Sequence, residues 1–152
     1  MSEPRLLIIG VGNVYRSDDA VGILIAQKLK KMGSEGINII EQSGEGTSLM
    51  DAWKEHVRVI VVDAVSSGAP PGSIHRLHAS RESIPSKFFS CSTHDFGVAE
   101  AIELARTLDQ LPGDLQLYGI EGKNFKPGEI LSAEVEQAME SVTQEIFQTI
   151  SS

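Results

Sequence analysis

Two adjacent acids, Asp18 and Asp19, sit in the glycine-bracketed stretch at residues 10–22 (GVGNVYRSDDAVG). A third acid, Asp63, closes the apolar run VIVVDA, and His94 follows Ser92 and Thr93 further along the chain. Two carboxylates and an imidazole form an oxygen, oxygen, nitrogen donor set that leaves coordination positions open. Such a set accepts nickel, zinc or iron, so residue type by itself does not choose the metal. Asp19, Asp63 and His94 are therefore the candidate metal-binding and catalytic residues. Each has a plainer competing account. Ser17 reads as an N-cap, so Asp18 and Asp19 in the first helical turn could simply answer the helix dipole. An Asp after a strand often binds nearby backbone N–H groups, here those of Val65 or Ser66. Ser92 and Asp95 have capping-box spacing, which predicts His94 in a first helical turn, where the positive end favours neutral, ligating imidazole; a lone histidine is nonetheless more often structural or exposed.

Elements that bring such residues together are legible in the hydrophobic pattern. Residues 5–10 (RLLIIG), 37–42 (INIIEQ) and 57–64 (VRVIVVDA) are short β-branched runs that read as strands, the first and third apolar enough for central parallel strands. Residues 73–78 and 115–120 are two further strands, the former after the turn APPG. Val21, Leu24, Ile25, Leu29 and Met32 share one helical face that Gly33 terminates. Residues 47–55 form a shorter helix, and Val98, Ala101, Ile102, Ala105 and Leu108 mark a third before Pro112. A last helix starts near Ser132, with Val135, Met139, Val142, Ile146 and Ile150 inward. Alternating strands and helices predict an α/β fold with right-handed crossovers, whose ligands bind at the carboxyl edge of the sheet.

The 152 residues fit one domain, residues 1–152, large enough for its own core. A net charge of -8 without a cationic cluster argues against nucleic-acid binding, since Lys28, Lys30 and Lys31 only finish a helix. No apolar run reaches the roughly 18 residues of a membrane span. The N-terminal residues lack a secretory pattern and a single cysteine forms no internal disulfide, so a cytoplasmic location is expected. The stretch GVGNVY begins like a dinucleotide fingerprint, but Tyr15 occupies the third glycine's place, and Glu41 as a ribose acceptor then counts for little; no organic cofactor is expected. Cys91 near His94 has no orienting group and reads as a small structural residue. His56, His75 and His78 have no partnered acids in sequence and receive no role.

The three motifs, GVGNVYRSDDAVG, VVDAV at residues 61–65 and STHDFGVAEAIELA at residues 92–105, in this order resemble the maturation proteases of NiFe hydrogenases. The resemblance spans essentially the whole chain, and Gly119, Ile120 and Glu121 also fit. It implies a single-domain three-layer sandwich with a twisted, mostly parallel five-stranded sheet and helices on both faces. It further implies an endopeptidase that removes a C-terminal extension from a hydrogenase large-subunit precursor after nickel insertion. The family's nickel-binding acids and histidine match Asp19, Asp63 and His94, with nickel carried by the precursor. The first acid is often glutamate in the family, so the shorter Asp19 alters ligand distances. Where several relatives have Gly-Gly-Thr, this chain has SGEGT at residues 43–47. If the first strand lies between the second and third, Asp19 and Asp63 flank the topological switch point. Because no recognised peptidase triad is present, a non-enzymatic nickel checkpoint or chaperone is the alternative; oligomeric state stays open.

Overall fold

The computed structural model describes residues 6–33, 35–89 and 94–151. Its elements run β1 (Leu6–Val11), α1 (Val21–Met32), β2 (Ile37–Gln42), α2 (Gly46–Trp53), β3 (Arg58–Val65), β4 (Ile74–His78), α3 (Val98–Thr107), β5 (Asp114–Glu121) and α4 (Ala133–Ser151). Five strands form one sheet in the order β2-β1-β3-β5-β4. The first four are mutually parallel, and β4 pairs antiparallel with β5 at the edge. The short link from β3 to β4 turns through Pro70, Pro71 and Gly72, and a link without a helix suits reversal rather than a parallel crossover.

Continuous apolar strands follow from burial on both faces. One face packs Leu6, Ile8, Ile60 and Ile120 against Val21, Ile25 and Leu29 of α1 and Val135, Val142 and Ile146 of α4. The other packs Leu7, Ile9, Val61 and Leu117 against Leu49 and Trp53 of α2 and Ile102 and Ala105 of α3. Each fully buried aliphatic side chain contributes on the order of 2 kcal/mol. Met32, expected inward, is 38% exposed because Gly33, at φ +73, ends α1 there and its N–H donates to the Leu29 carbonyl.

Two glycines seat α1 directly on the sheet. A Cβ on Gly22 would collide with the carbonyl oxygens of Val11 and Val62, and one on Gly10 would meet the Gly22 carbonyl and the Ala26 methyl. The start of α1 is thereby held against the ends of β1 and β3. Since β1 lies between β2 and β3, the chain leaves β1 and β3 on opposite sides of a switch point, where clefts form. Pairing of β1 with β3 stops at Gly10 and Val62, while β3 continues beside β5 to Val65. Asp63 is thus the first β3 residue past its β1 partner, inside the strand rather than at its tip. Among the described residues no helix is long and apolar enough to cross a membrane.

Candidate functional site

Between β1 and α1 the chain makes a 3-10 turn at Ser17–Ala20. Ser17 is not the N-cap: it has φ +54, and its hydroxyl donates to the Lys126 carbonyl at 2.8 Å. The segment at residues 122–132 crosses the turn and replaces local capping with long-range bonds. Asp18, fully buried, accepts from the N–H groups of Lys123 (2.8 Å), Asn124 (2.9 Å) and Ser132 (2.7 Å) and from the Ser132 hydroxyl (2.8 Å). Burial raises its pKa, but these four donors outweigh burial and hold the carboxyl below its ordinary 3.8. Of the two accounts of Asp18, the structural one matches, although its donors come from a distant loop rather than from a helix end.

Asp19 differs in every respect. It lines an open cleft of about 380 Å3 together with Gly12, Asn13, Glu41, Ser43 and His94. Burial raises its carboxyl pKa more than Arg16, His94 and an Asn13 N–H lower it. Backbone contact fixes its place: Asn13 N–H donates to the Asp19 carbonyl at 3.2 Å, and a Cβ on Gly12 would collide with that carbonyl.

His94 reaches the same cleft from a loop. α3 begins only at Val98, with Gly97 as N-cap and the Glu100 carboxylate accepting from the Gly97 N–H at 3.1 Å. The expected first-turn position of His94, and the dipole effect with it, therefore do not hold; Cys91 and the capping residue Ser92 lie outside the described residues. The Ser43 carbonyl stands 3.3 Å from His94 Nε2 and accepts from it in the tautomer that leaves a lone pair on Nδ1. Ser43 thus brings the SGEGT loop to the cleft. Glu45 in that loop caps α2, and the hydroxyl and N–H of Thr47 with the N–H and hydroxyl of Ser48 hold its carboxyl at about 2.

Asp63 sits one strand away, where burial and then the negative charge of Asp19 push its pKa well above 3.8. The backbone N–H that partly offsets this belongs to Ala64, not to Val65 or Ser66. Asp19, Asp63 and His94 thus occupy one sheet edge: Asp19 and His94 share a cleft, and the two carboxylates repel each other. Among the described residues no three His, Cys, Asp or Glu side chains stand close enough together to hold a metal ion. The physical character of the edge is two carboxyls raised chiefly by burial, Asp63 further by the charge of Asp19, beside an imidazole, and a cation would relieve that charge.

Two histidines left without a role do have acid partners. His75 Nε2 lies 3.1 Å from Glu121, and His78 Nε2 lies 3.2 Å from Asp114 without hydrogen-bond geometry. Glu121 is buried and also accepts from the Ser67 N–H and hydroxyl at 2.7 Å. The usable signal was an acid ending the mostly apolar stretch LYGIE of β5; its partners lie 46 and 54 positions away.

Known proteins of similar fold and related sequence point in one direction. A family model described as hydrogenase maturation protease matches residues 23–149. The chain is 26% identical over 147 residues to the hydrogenase 2 maturation protease of Escherichia coli (strain K12), covering 94% of this chain and 88% of that protein. It is 27% identical over 157 residues to the hydrogenase expression/formation protein HupD of Thiocapsa roseopersicina, covering 94% and 70%. Among solved structures, the hydrogenase maturating endopeptidase HybD from E. coli matches with a TM-score of 0.79 at 24% identity, over 95% of this chain and 91% of that one. An endopeptidase from Escherichia coli solved in solution matches at 0.80 and 26%, over 93% and 89%.

Proposed function

Because the chain belongs to the hydrogenase maturation protease family, we propose that it removes the C-terminal extension of a NiFe hydrogenase large-subunit precursor after nickel insertion, reading that nickel through Asp19, Asp63 and His94. The nickel is cargo of the precursor. The observation that supports this reading is that burial raises both carboxyls and the negative charge of Asp19 raises Asp63 further, with His94 on the same cleft as Asp19. A docking cation converts that repulsion into attraction, so precursor lacking metal is met by an unfavourable anionic edge. A metal held there polarises the scissile carbonyl or activates a bound water, and the two acids and the imidazole position it. A single cysteine suits a reducing cytoplasm, where we place the reaction.

The test is mass analysis of nickel-loaded and nickel-free precursor before and after incubation with the protein. Mass loss only with nickel supports the reading, and Asp63→Ala or His94→Ala, each folded by circular dichroism, should abolish it. Unchanged processing by both variants would remove these residues from the mechanism. Stable binding without shortening would identify a nickel checkpoint instead.

A further inference from the structure

β2 lies at one edge of the sheet, and its register with β1 runs one-to-one from Ile37 to Gln42 without a bulge. The bond from the Gly12 N–H to the Gln42 carbonyl, at 3.0 Å, fixes the phase of that ladder. In a parallel pair alternate residues turn both N–H and C=O to the same neighbour, so Asn38, Ile40 and Gln42 face β1. Ile37, Ile39 and Glu41 therefore turn their main-chain donors and acceptors to the outer side, where no strand pairs among the described residues. Natural sheets blunt such edges with lysine, proline or a bulge, because an open edge templates pairing with another chain. β2, with the sequence INIIEQ, has none of the three, and its one charge, Glu41, is answered by Lys30 at 3.0 Å. Ile37 and Ile39 on one face and Ile40 on the other are only partly buried, whereas β1 is buried throughout. The opposite edge strand, β4, carries His75, Arg76 and His78 and contributes nothing to the cleft of Asp19 and His94.

We propose that the C-terminal extension of the precursor pairs with β2 as a further, antiparallel strand of the sheet; the inference rests on the reading that the extension is cut at the cleft of Asp19 and His94. The carboxyl end of β2 opens on that cleft, where Glu41 and Ser43 share the wall with Asp19 and His94. An extension that leaves the scissile bond there and follows β2 runs opposite to it, which is the more stable sense of pairing. At about 3.4 Å per residue, the edge from Gln42 back to Ile37 takes about six residues of the extension. Main-chain bonds to Ile37, Ile39 and Glu41 supply affinity, and the partly buried isoleucines supply cross-strand packing. A second copy of the chain, pairing β2 with β2, is the competing occupant; continuity of the edge with the cleft favours the extension.

The experiment is a proline scan along about six residues that follow the scissile bond, read as KM and kcat on nickel-loaded precursor. Proline lacks the N–H, so at alternate positions it should raise KM about tenfold, and at the positions between them much less. In the protein, Ile39→Pro removes an outward N–H and no bond to β1. Folded by circular dichroism, it should raise KM on the unmodified precursor by a similar factor, leave kcat little changed and flatten the alternation. The scan leaves the protein unaltered, so it decides the matter even where Ile39→Pro does not fold. A flat scan with nickel-dependent cleavage intact overturns the pairing and leaves the protease reading standing. A stable dimer in sedimentation that Ile39→Pro dissociates gives the edge to a second copy and likewise overturns the proposal. No cleavage of unmodified nickel-loaded precursor overturns both readings.

Discussion

Asp18 and Asp19 are neighbours in sequence and opposites in environment. Asp18 is enclosed by four donors and its ionised form is favoured; Asp19 shares a cleft with His94, opposes Asp63, and its ionised form is disfavoured. A buried carboxylate whose donors are all supplied by its own protein is architecture. One whose burial outweighs its donors, and which raises a second carboxyl beside it, is stabilised by added positive charge, as at cation sites.

The largest expected effect comes from Asp63→Asn. Processing of nickel-loaded precursor should fall to background, while the free protein becomes more heat-stable at neutral pH. The sign follows from a raised pKa: below about 4 the carboxyl is protonated in folded and unfolded chains alike, and as pH climbs toward the raised folded value the folded state loses stability. The gain in Tm from Asp63→Asn should therefore grow from acid to neutral pH; a lower Tm at every pH would contradict the contrast drawn here.

Next in size is Asp18→Ala, which strands three N–H groups and a hydroxyl beneath the 122–132 segment. A cost of about 3 kcal/mol is expected, lowering Tm by roughly 10 °C for a chain of this length. At temperatures where it remains folded, its processing rate should fall less than that of Asp63→Asn. If the order were reversed, Asp18 would belong to the chemistry. A smaller effect appears in acid. The stabilisation from Asp18 is complete above its unfolded value near 3.8 and disappears as pH drops through its lowered folded value, so Asp18→Asn should flatten the acid limb of a Tm-against-pH curve. Smallest is Glu121→Gln, which keeps the shape but weakens the bonds from Ser67 and His75; about 1 kcal/mol, or roughly 3 °C, is expected by differential scanning calorimetry.

Much of the fold was legible because it rests on local periodicity. Residues 37–42 read as β2 with its observed bounds, and β1 and β3 fall within one residue of theirs, whereas α1 and α3 begin several residues later than the capping signals place them. What failed was capping. Ser17 and the Ser92 to Asp95 spacing had the right residue types, but the 122–132 segment took Ser17 for its own bonding, and α3 starts at Val98 behind its N-cap Gly97. Local capping signals lose when a distant segment offers the same groups better geometry. The pairing of His75 with Glu121 was hidden for a related reason, since β4 and β5 are separated by a helix in the chain and adjacent only in the sheet.

The sequence by itself determined the alternation of strands and helices, the glycines that seat α1 on the sheet, and the family, because these depend on residue type and short-range spacing. Only the tertiary structure decided which of two adjacent acids is anchored and which faces the cleft, and that β2 lies at the sheet edge beside that cleft. Those outcomes depend on strand order and on donors more than a hundred positions away, and a charge acquires its character from whatever the fold brings beside it.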